Sequence, residues 1–126
     1  MKALIAGAGI GGLTTALFLH RAGIDVEIFE SAKEVRELGV GINMLPHAVG
    51  LLTELGLIDD LDAAGIRTRE LIYANRFGQV VWHELRGIDA GLPAPQFSIH
   101  RGKLLGLIHR AVVERMGPGV IRTDVG

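Results

Sequence analysis

Three glycines, one acid and two arginines hold most of the chemistry that this sequence offers. Gly7, Gly9 and Gly12 stand in the spacing G-x-G-x-x-G, with Gly11 inside it. In a turn from strand to helix each has its own use. Gly7 permits the tight turn, Gly9 has no Cβ to keep a pyrophosphate off the backbone, and Gly12 lets the helix pack closely on the strand. The free N–H groups and partial positive charge at the helix start then face the diphosphate. Glu30 has the place of the acid that accepts hydrogen bonds from both hydroxyls of an adenosine ribose. A glycine fingerprint alone is weak in a chain with 18 glycines. The preceding strand and the acid at the right separation point to a dinucleotide site and not to a merely structural turn.

These residues need a βαβ unit to position them, and the flanking sequence supplies one. Lys2-Ala3-Leu4-Ile5-Ala6 is a short apolar run of the kind that forms a buried strand. Leu13, Ala16, Leu17 and His20 recur at helical spacing, Arg21 suits the negative end of that helix, and Gly23 suits a left-handed cap. Asp25 to Glu30 reads as the second strand. Ser31 to Leu38 is polar and carries Arg36, and Gly39-Val40-Gly41-Ile42-Asn43 is an extended, glycine-spaced piece. Pro46 opens a short helix through Leu55, stopped by Gly56 in a Schellman pattern, and a second short helix runs from Ile58 to Ala64. A dehydrogenase-type domain would proceed to another crossover and a third parallel strand; this chain departs into loops and short helices instead.

Glu70–Ala74 and Val80–Glu84 are predicted to pair as a hairpin about Asn75-Arg76-Phe77-Gly78, with Gln96–Ile99 as a further strand. His100-Arg101-Gly102 opens a helix whose stripe is Leu104, Leu107, Ile108, Ala111 and Val112. Gly117-Pro118-Gly119 ends it, and Val120–Thr123 begins a strand. The parallel strand candidates Lys2–Ala6, Val26–Glu30 and Val120–Thr123 leave unpaired edges, so self-association through incomplete sheet edges is expected.

The 126 residues correspond to about one domain. Thirteen Lys and Arg against 14 Asp and Glu leave a formal charge of −1, with no basic run for nucleic acid or an anionic membrane. The absence of cysteine excludes disulfides, thiol catalysis and Cys-type zinc sites. No stretch of about twenty apolar residues offers a membrane span, and the composition is compatible with a cytoplasmic location. His20, His47, His83, His100 and His109 show no metal-ligand spacing, so no metal is expected. Ser31 and Ser98 lie in no nucleophile elbow. Tyr73 and Trp82 read as sheet-packing residues. No residue is singled out as catalytic.

Gly7 to Glu30, the Arg36 segment, Gly39-Val40-Gly41-Ile42 and the Arg101 helix together resemble the N-terminal part of a group A flavoprotein monooxygenase. Gly39 to Asn43, Glu54-Leu55-Gly56-Leu57, Val81-Trp82 and Ser98-Ile99-His100-Arg101-Gly102 resemble most the phenazine-modifying branch. The likeness spans nearly the whole chain, which covers about the first third of such an enzyme. It implies an α/β fold: a Rossmann-like FAD-binding unit over 1–69, the start of an antiparallel substrate-domain sheet over 70–99, and a return to the FAD-binding unit over 100–126. It implies FAD as cofactor and NADPH or NADH as transient reductant, with O2 as the oxygen source and a small aromatic ring as substrate. By the same resemblance Gly7, Gly9, Gly11 and Gly12 face the FAD diphosphate and Glu30 holds its ribose. Arg36 and Arg101 match arginines on the ribose or diphosphate side, and Val40, Gly41 and Ile42 lie near the flavin end. A dehydrogenase-type domain and a non-catalytic nucleotide-binding fragment stand as alternatives.

Overall fold

The computed structural model describes all 126 residues, Met1–Gly126. In chain order the first half contains β1 (Lys2–Ala6), α1 (Ile10–Arg21), β2 (Asp25–Phe29), β3 (Gly41–Met44), α2 (Pro46–Glu54) and α3 (Ile58–Ala64). The second half contains β4 (Ile66–Thr68), β5 (Glu70–Ala74), β6 (Val80–Leu85), β7 (Gln96–His100), α4 (Arg101–Met116) and β8 (Ile121–Arg122). The chain forms two compact units, Met1–Val40 with Arg101–Gly126, and Gly41–His100.

The first unit is the expected βαβ arrangement completed by the last strand. β2 is central, parallel to β1 on one side and to β8 on the other. Val26 and Ile28 of β2 are buried with Leu13, Ala16 and Leu17 of α1 and Leu104, Leu107, Ile108, Ala111 and Val112 of α4. Each fully buried Leu, Ile or Val contributes about 1.5–3 kcal/mol relative to exposure, so this apolar layer outweighs the weak surface pairs around it. On the other face Glu27 accepts a hydrogen bond from Lys2 Nζ at 2.8 Å and pairs with Arg122, joining all three strands. The bond from Lys2, with the nearby Arg122 charge, holds the Glu27 carboxyl below its usual range against an opposing desolvation effect. Leu4, on β1, is 66% exposed.

Two helix ends follow the caps read from the sequence. Gly23 has φ +79°, and the N–H groups of Gly23 and Ile24 donate to His20 O and Leu19 O. Gly56 (φ +76°) and Leu57 repeat this with Thr53 O and Leu52 O. Both are Schellman motifs.

In the second unit β7 is the middle strand of an antiparallel sheet, between β3 and β4. Phe97 and Ile99 of β7 are buried, as are Val49 and Leu52 of α2 and Leu61 of α3, and both helices contact β7. β5 and β6 form their own two-stranded sheet. Its turn is held by Asn75, whose Oδ1 accepts from the N–H groups of Phe77 and Gln79 at 3.0 Å, with Gly78 at φ +79°.

The structure adds three placements to the sequence reading. Gln96–Ile99 does not extend the hairpin; its apolar residues fit a buried central strand, and it pairs with β3 and β4 instead. Residues 41–69, grouped above with the FAD-binding part, share a compact unit with the hairpin. Tyr73 and Trp82 are register partners across β5–β6, yet both are more than half exposed, so they pack against each other's strand and not into a core.

Candidate cofactor site

The site begins at the turn between β1 and α1. Gly7 has φ +104°, a conformation closed to most side chains, and its N–H donates to Phe29 O at 2.7 Å, pinning the turn to β2. A Cβ on Gly12 would overlap the Gly7 carbonyl oxygen and lie 3.3 Å from Ile5 Cγ2. Only glycine allows α1 to start this close to β1. At Gly9 and Gly11 the reverse holds, since an added Cβ would meet nothing within 4 Å. Gly9 is the N-cap of α1, no side chain caps the helix, and its first turn carries no acid. The first N–H groups of α1 are therefore open to an external anion.

Glu30 follows β2 directly. Its Oε2 accepts the Ala8 N–H at 2.7 Å and its Oε1 the Ala32 N–H at 2.9 Å, with Ser31 Oγ at 3.3 Å. These bonds, Ala32 first and Ala8 second, keep the carboxyl below its ordinary range, while partial burial pulls the other way. A carboxylate has about four acceptor positions. Ala32 N–H and Ser31 Oγ fill Oε1, whereas Oε2 accepts only from Ala8, so Oε2 keeps an acceptor position for a ribose hydroxyl while bracing the glycine turn.

Beside them lies a cavity of about 450 Å³, within the size range of cofactor pockets. Ala8, Gly9 and Glu30 form one wall, and Leu105 of α4 contributes to another. The remaining six of its ten lining residues come from the strap between β2 and β3, among them Lys33, Arg36 and Leu38. None of the lining residues is a His, Ser, Thr or Tyr, so the cavity holds no nucleophile–base pair.

The structure thus brings Gly9, Glu30 and Arg36 to one cavity, while Gly7, Gly11 and Gly12 lie in the adjoining turn and helix start without lining it. Arg36 is exposed, and its Nε donates to Glu34 Oε1 at 2.6 Å. Arg101 opens α4 and is not among the cavity's lining residues. Its N–H donates to Val40 O at 2.8 Å, and its side-chain carbons would lie 3.0–3.4 Å from a Cβ on Gly39. Val40 is 72% exposed. Gly41 and Ile42 lie in β3 of the other unit, opposite His100 and Ile99. Sequence reasoning missed Leu105. Its signal was an apolar residue off the buried stripe of α4, where only a second surface would use it.

An open helix start, a glycine seat and a carboxylate with a spare acceptor on Oε2 fit the adenosine diphosphate half of a dinucleotide. Comparison with known proteins agrees. Residues 1–101 match the FAD binding domain family. Phenazine 1,6-dicarboxylic acid hydroxylase PhzS of Lysobacter antibioticus is 54% identical over 123 residues, or 97% of this chain and 30% of that enzyme. The 3-hydroxybenzoate 6-hydroxylase of Klebsiella oxytoca is 49% identical over 111 residues, covering 87% of this chain and 26% of its own. Among solved structures, Klebsiella pneumoniae HpxO complexed with FAD and uric acid matches with a TM-score of 0.74 at 26% identity. It covers 98% of this chain and 31% of that one. The chain spans about 30% of the length of these relatives.

Proposed function

The chain belongs to the FAD binding domain family, and on that premise we propose that it supplies the adenosine-holding part of an NAD(P)H- and O2-dependent monooxygenase that hydroxylates a small aromatic ring. The substrate class we favour is a phenazine carboxylate, on the strength of the 54% identity to the Lysobacter hydroxylase. The single observation that carries the reading is the junction of Glu30 with the glycine turn. One carboxylate braces Ala8 N–H at 2.7 Å beside an uncapped helix start, so ribose and diphosphate acceptors and donors stand side by side.

Gly7, Gly9, Gly11 and Gly12 would present α1 to the diphosphate, Glu30 would accept from the ribose, and Lys33 and Arg36 would add positive charge at the cavity's rim. Leu38 and Leu105 would cover apolar surface and exclude water. FAD bound there would supply the redox chemistry between nicotinamide and oxygen, while the protein would orient and shield it. Val40, Gly41, Ile42 and Arg101 belong to the same reading as residues toward the flavin end and the diphosphate. We place the protein in the cytoplasm, where its reductant is supplied. The exposed hairpin residues Tyr73, Val81 and Trp82 support self-association of the isolated chain.

The test is a chimera in which Met1–Gly126 replaces the matching segment of the Lysobacter hydroxylase. It is expected to purify with FAD and to hydroxylate a phenazine dicarboxylate, whereas Met1–Gly126 alone is expected to give no hydroxylated product. A folded chimera that retains no FAD would refute the reading.

A further inference from the structure

Glycine in the interior of a helix weakens it, because it is freer than any other residue in the unfolded chain. Gly106 lies inside α4, is buried, and has no positive φ to justify it. Its reason stands opposite. A Cβ on Gly106 would overlap Glu37 Oε1 and lie 2.5 Å from Glu37 Cδ and 3.0 Å from Cγ. The same Glu37 Oε1 accepts from Arg110 Nη1 at 3.3 Å, one turn further along the helix.

Glu37 sits at the apex of a tight turn in the strap, closed by Leu38 N–H to Arg36 O at 2.9 Å. Its two neighbours, Arg36 and Leu38, both line the cavity, whereas Glu37 does not. The strap is tied at its start, where Asp124 and Val125 donate to Ala32 O and Glu30 O, and at its end, where Arg101 donates to Val40 O. Glu37 lies between these ties.

We propose that Gly106 and Arg110 form a seat on α4 for Glu37, and that this seat positions the strap so that Arg36 and Leu38 wall the nucleotide cavity. Glu37, Gly106 and Arg110 are positioning residues. The exposed pair alone is weak; the notch left by the missing Cβ gives it one geometry. The effect on a ligand rests on the nucleotide reading above, but the seat itself does not.

Gly106→Ala puts a methyl group where the Glu37 carboxylate rests. The displaced atoms are the far end of a flexible side chain, so α4 keeps its path and gains a better helix former. The variant is expected to melt no lower than wild type. Thermolysin cleavage before Val35 and Leu38, followed by mass spectrometry, is expected to become at least about fivefold faster. ADP affinity is expected to fall by about fivefold, equivalent to ~1 kcal/mol. Arg110→Gln should reproduce both changes without touching the helix core, and Arg110→Lys should restore slow cleavage.

Unchanged strap cleavage in both Gly106→Ala and Arg110→Gln would overturn the seat. Faster cleavage with unchanged ADP affinity would overturn its role in setting the cavity. Absence of ADP binding to the wild-type chain would instead refute the nucleotide reading, and the cleavage comparison would still decide the seat.

Discussion

Gly12→Ala separates close packing from helix propensity, because the two push in opposite directions. In an ordinary helix the change adds up to about 1 kcal/mol of stability. Here the new Cβ would overlap the Gly7 carbonyl oxygen, and Gly7 C and Ile5 Cγ2 lie only 3.2 and 3.3 Å away. The obstacle is backbone and cannot rotate aside, so α1 must lift from β1. Overpacking of this kind costs typically ~1–3 kcal/mol, and the rigid neighbour places it in the upper part of that range. The net loss is about 1–2 kcal/mol, or roughly 4–10 °C in Tm for a chain of this size. Gly11→Ala is the matched control: same helix, nothing within 4 Å, and no positive φ. It should gain up to about 1 kcal/mol. Thermal melts followed by far-UV circular dichroism, without ligand, compare the two. If Gly12→Ala melts at or above Gly11→Ala, the argument from close approach is wrong.

The other predictions concern the ligand, the pH and the exposed surface. Glu30→Ala should weaken FAD about ten- to a hundredfold per lost charged hydrogen bond, worth ~1.5–3 kcal/mol each; an unchanged dissociation constant in the FAD-holding chimera removes Glu30 from the site. Because Glu30 has a folded pKa below its ordinary value of 4.5, its contribution is complete above that value and is lost as pH falls through the folded pKa. Urea melts should therefore show wild type more stable than Glu30→Gln at neutral pH, with the gap closing at the acid end. Arg101→Lys should lower FAD occupancy severalfold, since an ammonium lacks the planar donor fork; equal occupancy would leave Arg101 only its packing over Gly39. Trp82→Glu should reduce self-association in sedimentation velocity, because Trp82 is 56% exposed among other apolar hairpin residues.

What was legible in the sequence was local. The strand–glycine–helix–strand run, both Schellman caps, the Asn75 hairpin and the α4 stripe each depend on residues within a few positions of one another. β4 escaped because Ile66–Thr68 is too short to show a period, and for the same reason Gly41–Met44 could be read only as extended, with no partner. They are strands because β7, far along the chain, offers its edges. Glu30 was singled out by its place at the end of the second strand, but its bond to Ala8 N–H depends on β1–β2 register, which no local pattern reveals. Arg36 and Arg101 were matched as a pair, yet only Arg36 lines the cavity. The strap shows why: a polar run such as Ala32 to Leu38 reads as solvated until the helix that seats it is seen.

The pairing of Gly41 with His100 has a consequence for how the chain assembles. β8 must find β2 across about 90 residues, since Ile121 pairs with Ile28. If the 41–100 segment folds first, its two ends are held at one rung, and Val40 and Arg101 are already joined by a hydrogen bond. The insertion then acts as a clasp, and the loop left to close shrinks to about 30 residues. By the logarithmic dependence on loop length, that threefold shortening lowers the closure cost by about 1 kcal/mol. In that order of events the inserted unit nucleates, and β8 docks on β2 afterwards.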